Sequence, residues 1–156
     1  MFSYRSLQLG DLETLCSFPQ NEEELYFMFP KAVYPLTPDQ IEEVVKNRLE
    51  PTVILCNQEV VSYANFYDHD GESCWLGNVI VSPEYRGKGV SQYLIGIMEN
   101  IGREKLKVQK LKLVCHNTNT RGILFYMKHG FKPYDISLRV KPSGEYIAGL
   151  HMEKYL

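Results

Sequence analysis

The sequence has no long hydrophobic run. A helix that crosses a bilayer needs about 20 consecutive, mainly apolar residues, and no such stretch is present. The first residues, MFSYRSLQLGD, also lack the basic segment, apolar stretch and small-residue cleavage site of a secretory signal. We therefore expect a soluble, cytoplasmic protein that does not act in a membrane.

An excess of charge of either sign is also missing. The chain has 17 Lys and Arg against 19 Asp and Glu, which gives a formal net charge of -2 at pH 7. Proteins that bind nucleic acids usually carry a basic surface, because they must neutralise phosphates. The composition therefore argues against a nucleic-acid partner.

Cysteines are few and widely spaced. Cys16, Cys56, Cys74 and Cys115 form no Cys-x-x-Cys pair and lie among apolar residues. Paired spacing is typical of zinc sites, whereas isolated reduced thiols behave as small hydrophobic groups. We expect four core thiols, no disulfide and no metal.

The chain contains no repeat, no low-complexity tract and no Pro/Gly/Ser-rich linker, so it shows no domain boundary. With 156 residues and 44% hydrophobic content, residues 1–156 suit one domain with a real core. The hydrophobic periodicity alternates between strand-like and helical. The expected order is a strand, short helices, three antiparallel strands, a helix, a strand, a helix and a closing hairpin, which is a mixed α/β fold.

Capping residues and glycines mark several helix ends. Asp11, Asn21 and Thr37 each precede a helical pattern, and Pro38 fits the first turn of the third helix. Gly130 is suited to end the last helix in a left-handed conformation.

One glycine-rich turn stands between a strand and a helix, Arg86-Gly87-Lys88-Gly89-Val90-Ser91. Glycines allow successive backbone N–H groups to point into one concavity at a helix N-terminus, where they bind phosphate. A Walker A loop needs Gly-Lys-Ser/Thr and a dinucleotide fingerprint needs a third glycine, so neither pattern fits. A purely conformational turn is the alternative explanation.

Two motifs in this order resemble the GNAT superfamily of acyl-CoA-dependent N-acetyltransferases. The first is the family pattern Arg/Gln-x-x-Gly-x-Gly/Ala after a strand that ends in Val-x-Pro, with Ser91 in place of the last small residue. The second is an Asn followed on the next helix by Tyr-x-x-x-Gly-Phe. The residues are Val81, Pro83, Arg86, Gly89, Ser91, Asn119, Tyr126, Gly130 and Phe131. The resemblance implies a central mixed, mostly antiparallel sheet with a splayed strand, flanked by helices.

The resemblance also implies acetyl-CoA as co-substrate. The glycine turn would hold the pyrophosphate of the coenzyme, and backbone N–H groups of residues 79–81 would bind the pantetheine arm and, at Val79, the acetyl carbonyl. The implied coenzyme-binding residues are Val79, Val81, Arg86, Gly87, Lys88, Gly89, Val90, Ser91, Asn119 and Tyr126. Asn119 can serve as a helix cap as well.

Tyr126 is the candidate general acid. A phenol has a pKa near 10 and a thiol near 8.5, so Tyr126 stays protonated at neutral pH and can protonate the departing thiolate. The alternative is a tyrosine that only packs against a helix face.

The general base is less well marked. Some family members use a strand Glu, but LGNVIV and LKLVC contain no carboxylate. His116 at a strand end is one candidate, Glu72 and Glu24 are others, and a chain of water molecules is a further alternative. His116 is also explained as an ordinary polar strand-end residue.

The acceptor site is expected near the first helices and the last hairpin. Glu24, Tyr26 and Phe29 combine negative charge with aromatic surface, which suits a cationic amine. An acidic helix N-terminus beside core aromatics explains the same residues. The expected reaction is acetyl transfer to a primary amine of a small molecule, less so of a protein, in a monomer or homodimer. The alternative function is a catalytically silent acyl-CoA-binding module.

Overall fold

The computed structural model describes residues 1–156 and contains a seven-stranded sheet with helices on both faces. The strand order is β1-β2-β3-β4-β5-β7-β6, and every neighbouring pair is antiparallel except β4 with β5. The strands are β1 Phe2–Ser6, β2 Leu49–Cys56, β3 Glu59–Tyr67, β4 Ser73–Val81, β5 Lys110–His116, β6 Lys132–Val140 and β7 Tyr146–Tyr155. The helices are α1 Leu12–Cys16, α2 Glu22–Met28, α3 Pro38–Val45, α4 Val90–Glu104 and α5 Thr120–Lys128.

This architecture confirms the predicted mixed α/β class and order of elements. Two of the three expected caps are also present: the Asn21 side chain accepts from the Glu24 N–H, and the Thr37 hydroxyl accepts from the Gln40 N–H. Gly130 has φ +93° just beyond α5, as a left-handed helix end requires. Asp11 precedes α1, but its carboxylate accepts no hydrogen bond from that helix, so the expected side-chain cap is absent. The carboxylate accepts from the Gln8 N–H at 2.8 Å, in the capping box of the preceding 3-10 turn, and binds the Arg5 guanidinium at 2.7 and 2.9 Å.

The sheet separates two hydrophobic cores. Alternate residues of each strand face opposite sides, so α4 and α5 pack on one face while α1, α2 and α3 pack on the other. The core under α4 includes Phe66, Leu94, Met98, Leu111 and Met152. The core under α1 to α3 includes Leu15, Leu25, Phe29, Ile41 and Tyr63.

Strands β4 and β5 pair along only part of their length. In the parallel ladder, Ser73 pairs with Lys110, Cys74 with Leu111 and Trp75 with Lys112. Residues 76–81 of β4 have no partner in β5. On its other side β4 stays paired to β3, with one extra residue inserted between Gly77 and Ile80. Asn78, at φ +50°, lies in this bulge. The sheet is therefore open between the ends of β4 and β5, and this cleft is the splay that the resemblance implied.

The cysteines form no disulfide. Cys74 and Cys115 are buried and Cys16 and Cys56 are half-buried, so two of the four are full core residues. No helix of the structure is both long enough and apolar enough to cross a membrane.

Substitution of a core leucine tests the packing under α4. Leu94 has no exposed surface, whereas Leu124 on α5 is 62% exposed. We expect Leu94→Ala to lower the free energy of unfolding by about 2–5 kcal/mol, because it removes buried methyl groups and leaves a cavity. Leu124→Ala makes the same chemical change in a helix and should cost less than about 0.5 kcal/mol. Urea denaturation measures both, and equal losses would contradict this assignment of the core.

Candidate active site

The glycine turn forms a group of unpaired backbone donors at the N-terminus of α4. Gly87 and Gly89 have φ +76° and +86°, values that L-residues rarely adopt, and a Cβ at either position would meet open space. The first hydrogen bond of the helix runs from the Tyr93 N–H to the Gly89 carbonyl. The N–H groups without an acceptor in the protein are those of Gly87, Gly89, Val90, Ser91 and Gln92. This arrangement is suited to bind an anion.

Arg86 does not point into this group of donors. Its guanidinium binds both carboxylate oxygens of Glu24, at 3.0 and 2.9 Å, and also donates to the carbonyls of Phe18 and Val81. From the sequence, Arg86 was expected to bind the phosphates, and Glu24 was expected to bind the acceptor or to act as the general base. In the structure the two side chains are paired with each other, so they attach the glycine turn to α2.

Lys88 lies on the exposed side of the turn. Its Nζ is 5.6 Å from the centroid of the Tyr85 ring and it has no carboxylate partner. The side chain is therefore free to move toward an anion held by the turn.

The open edge of β4 provides further backbone donors. The Ser82 N–H donates to Val61 on β3, and Ile80 is opposite Tyr63. Because N–H groups alternate between the two sides of an antiparallel strand, those of Val81 and Val79 point away from β3 and into the cleft. Both predicted backbone donors thus lie at the same edge as the glycine turn.

Tyr126 lies on the α4 and α5 side of the cleft. Its ring packs edge-on against Phe131, at 5.7 Å, and borders the core under α4. Burial raises the pKa of Tyr126 well above that of a free phenol, and the nearby Cys115 thiol raises it further. Asn119 caps α5, with its side chain accepting from the Gly122 N–H at 3.0 Å. The raised pKa keeps the Tyr126 phenol protonated at neutral pH.

His116 lies on the opposite face of the sheet, at the end of β5. Its ring stacks on Tyr26 of α2, with centroids 4.7 Å apart. Burial, helped by the positive charges of Arg139 and Lys141, lowers the pKa of His116 to about 4. The imidazole is neutral at pH 7 and can accept a hydrogen bond, but it holds an added proton weakly. Continuing the β4–β5 register beyond Trp75 brings His116 level with Val79.

Two predicted residues lie outside the cleft. Phe29 is only 2% exposed and belongs to the core under α1 to α3, so it offers no surface to an acceptor. Glu72 is exposed and precedes β4, at the opposite end of that strand from the glycine turn. Seven residues of extended chain, about 23 Å, separate Glu72 from Val79, which excludes Glu72 as a base beside Val79.

A buried polar network, which the sequence analysis did not identify, holds the bulge. The Asn65 amide donates to the Tyr63 hydroxyl at 2.8 Å and to the Asn78 side chain at 2.9 Å. Asn78 in turn donates to the Met28 carbonyl at the end of α2, at 2.7 Å. The network joins β3, the bulge and α2. A polar Asn inside the apolar run LGNVIV is the signal that could have revealed it.

The Glu24–Arg86 pair gives a pH-dependent contribution to stability. Burial raises the pKa of Glu24, but hydrogen bonds from Arg86 and the Gln20 N–H outweigh it, so the pKa lies below its ordinary value. A lowered carboxylate pKa stabilises the fold at neutral pH, and this stabilisation is lost as the pH falls through the folded-state pKa. We expect Glu24→Gln to lower the free energy of unfolding by about 1 kcal/mol at pH 7 and by much less near pH 3.

Glu23→Gln is the matched control for this pair. Glu23 lies in the same first turn of α2, is exposed and forms no ion pair, so its substitution reports only the charge at the helix N-terminus. Denaturant titrations of both variants across pH 3–7 measure the difference. A loss for Glu24→Gln that is the same at every pH would show that the ion pair is not its cause.

Comparisons with known proteins agree with this geometry. A spermidine N-acetyltransferase from Vibrio cholerae, solved in complex with CoA and spermine, superposes with a TM-score of 0.81 at 18% identity, covering 99% of this chain and 95% of that one. A ribosomal-protein-alanine N-acetyltransferase from Brucella melitensis gives a TM-score of 0.77 at 22% identity, covering 99% of both chains. The PaiA N-acetyltransferase from Thermoplasma acidophilum, in complex with coenzyme A, gives 0.74 at 20% identity, covering 100% of this chain and 99% of that one.

These similarities concern the fold, since all three identities are low. No curated protein matches the sequence. The sequence of residues 13–131, however, matches the acetyltransferase (GNAT) family, and this range includes α2, the bulge, the glycine turn, His116 and Tyr126. The chain therefore belongs to the acetyltransferase (GNAT) family of enzymes.

Proposed function

We propose that the protein transfers the acetyl group of acetyl-CoA to a primary amine of a small molecule. The observation that carries the proposal is the position of the unpaired donors at the N-terminus of α4, at the same end of β4 as the open cleft. An anion held by the turn and a group inserted between the strands would belong to one extended ligand. The CoA complexes of two structural neighbours support this choice of ligand.

The residues present fit acetyl-CoA. The turn offers five free N–H groups and the first turn of α4 contains no acidic residue, which suits a pyrophosphate. The cleft offers the N–H groups of Val79 and Val81, which suit the amide and carbonyl oxygens of an extended arm. When bound, acetyl-CoA supplies an acetyl group activated as a thioester.

Each side of the cleft has its own role. The Val79 N–H donates to the acetyl carbonyl oxygen and stabilises negative charge that develops there, a contribution worth roughly 3 kcal/mol in comparable sites. Tyr126, on the α5 side, donates its proton to the sulfur as the C–S bond breaks. The acceptor nitrogen approaches from the opposite face, beside His116, and forms the new C–N bond.

His116 is assigned to orienting the amine. Its neutral ring accepts a hydrogen bond from the attacking nitrogen. Because its pKa is about 4, His116 is too weak a base to keep the proton that the amine releases. The proton then leaves to water at the exposed mouth of the cleft. This role differs from the general base that the sequence predicted at this position.

The primary experiment measures acetyl-CoA-dependent thiol release with a panel of amino acids, polyamines, aminoglycosides and N-terminal peptides, against a blank without acceptor. Release above the blank with one class establishes transfer and identifies the acceptor. A protein that binds acetyl-CoA but releases no thiol with any class would favour the acyl-CoA-binding module.

Coenzyme binding is tested at the glycine turn. We expect Gly89→Ala to weaken acetyl-CoA binding at least tenfold, because φ +86° is unfavourable for alanine and any relaxation turns the N–H groups away from the phosphates. Gly96→Ala is the control, since Gly96 lies within α4 at ordinary φ and a Cβ there meets no atom. Isothermal titration calorimetry measures both affinities, and unchanged binding in Gly89→Ala would remove the turn from the site.

The proton donor is tested by Tyr126→Phe. We expect kcat to fall about 10²–10⁴-fold, while the acetyl-CoA Kd changes little because the ring still fills its place. Tyr155→Phe is the control, since Tyr155 is 71% exposed at the end of β7. In the parent enzyme the raised pKa of Tyr126 keeps the phenol protonated, so we expect no loss of kcat up to about pH 10. Full activity of Tyr126→Phe would exclude this general acid.

A further inference from the structure

The face of the sheet that carries His116 is lined by cations over β4, β5 and β7. The helices α1 to α3 cover only one end of this face, and the rest is open. The side chains over the open part are mainly aromatic or basic. They include Arg48, Tyr67, Trp75, Lys112, Tyr134, Arg139, Lys141 and His151.

Arg48 reaches this face from the segment between α3 and β2. Its guanidinium carbon lies 4.3 Å from the centroid of the Tyr67 ring, and Nη1 donates weakly to the Asn65 side chain at 3.4 Å. The same Nη1 is 2.5 Å from the place where a Cβ of Gly77 would be. Any side chain at position 77 would displace the guanidinium, so the glycine allows Arg48 to lie flat on β4.

Arg139 reaches the same face from β6 on the other side. Its Nε is 2.9 Å from the place where a Cβ of Gly149 would be, and Val114 is equally close to that place. Gly149 is paired with His116 across the β5–β7 ladder. A second glycine thus allows a second guanidinium to lie flat, next to the end of β5.

The two guanidinium groups flank β5. Arg48 lies over β4 at Gly77, beyond the last residue of β4 that pairs with β5, and Arg139 lies over β7 at Gly149. Burial raises the pKa of Tyr67, and the positive charges of Arg48 and Arg139 both oppose this rise. Both arginines therefore act on the same phenol. Neither arginine has a carboxylate partner.

Two of the carboxylates near this face are paired with lysines. Glu153 pairs with Lys110 at 3.2 Å and Glu145 pairs with Lys141 at 3.4 Å. Asp135 accepts from the Ile136 N–H, and Asp68 is exposed beyond the end of β3. Lys112 lies between the rings of Trp75 and Tyr134, 5.6 Å from each. Arg48, Arg139 and Lys112 thus have no carboxylate partner, although the charge of Asp68 acts on the same Tyr67 phenol as the two arginines.

We infer that the acceptor amine carries a carboxylate, which Arg48 and Arg139 bind while the amine lies beside His116. The inference rests on the proposed function and specifies its substrate class as amino acids or similar amino-carboxylates. Guanidinium groups bind carboxylates through paired, charge-assisted hydrogen bonds. Gly149 is level with His116, and Val114 precedes His116 by two residues of β5, about 7 Å. The carboxylate and the amine are therefore a few bonds apart, and a polycation is disfavoured.

The test compares each L-amino acid with the amine that lacks its α-carboxylate, for example phenylalanine with phenethylamine and lysine with cadaverine. In the parent enzyme we expect at least one amino acid to exceed its matched amine in kcat/KM by tenfold or more. Arg48→Gln and Arg139→Gln should each reduce that ratio about tenfold to a hundredfold, mainly through KM. The acetyl-CoA Kd should not change in either variant.

Arg103→Gln is the matched control, because Arg103 is exposed at the end of α4 and pairs only with the Asn100 side chain. It should leave the ratio unchanged. Matched amines that react as well as the amino acids, or a ratio that survives in both arginine variants, would overturn the inference.

A second readout separates this inference from the proposed function. Trp75 is the single tryptophan of the chain and lies on the same face, 5.5 Å from His151. With coenzyme A present, amino acids should change its fluorescence saturably in the parent protein and more weakly in Arg139→Gln. If no amine is acetylated, the proposed acetyl transfer is wrong. The fluorescence titration still tests whether Arg48 and Arg139 form a carboxylate-binding site. No saturable change with any amino acid would overturn it.

Discussion

The loss of pairing between β4 and β5 after Trp75 is the constraint on which the rest of the site depends. An extra residue in β4 requires a bend, and Asn78 supplies it at positive φ. The hydrogen bonds from Asn65 to Asn78 and from Asn78 to Met28 hold that bend from the side of β3 and α2. A buried network of this kind is favourable only when it is complete, so it holds the strand in one position. The free N–H groups of Val79 and Val81 are a direct consequence.

In the proposed reaction, the cleft divides the chemistry between the two faces of the sheet. Successive residues of β5 point to opposite faces, so Cys115 faces α5 and Tyr126 while His116 faces α2 and Tyr26. In that reaction the nitrogen would approach the carbonyl carbon from the His116 side, while the sulfur would leave on the Tyr126 side. Two consecutive residues of one strand are enough to define these two sides. The Glu24–Arg86 pair then fixes the glycine turn relative to α2.

The sequence predicted the features that depend on local pattern. The mixed sheet, the glycine turn, the Asn119 cap and the left-handed Gly130 follow from residues close together in the chain. It did not predict that Arg86 pairs with Glu24, 62 residues away, or that Phe29 is buried while Tyr26 reaches the cleft. Those outcomes depend on how α2 packs on the sheet. The two arginines were missed for the same reason, since Arg48 and Arg139 are 91 residues apart in the sequence.

The positive charge near His116 also bears on the absence of a carboxylate base. Burial and the charges of Arg139 and Lys141 lower the pKa of His116 to about 4. The same surroundings disfavour the charged form of any amine beside that ring, since desolvation and like charges both lower the pKa of an ammonium group. An amine that loses its proton to water on entry needs no strong base at the cleft. A carboxylate on the same molecule, bound by the two guanidinium groups, would offset the repulsion that otherwise keeps the amine away.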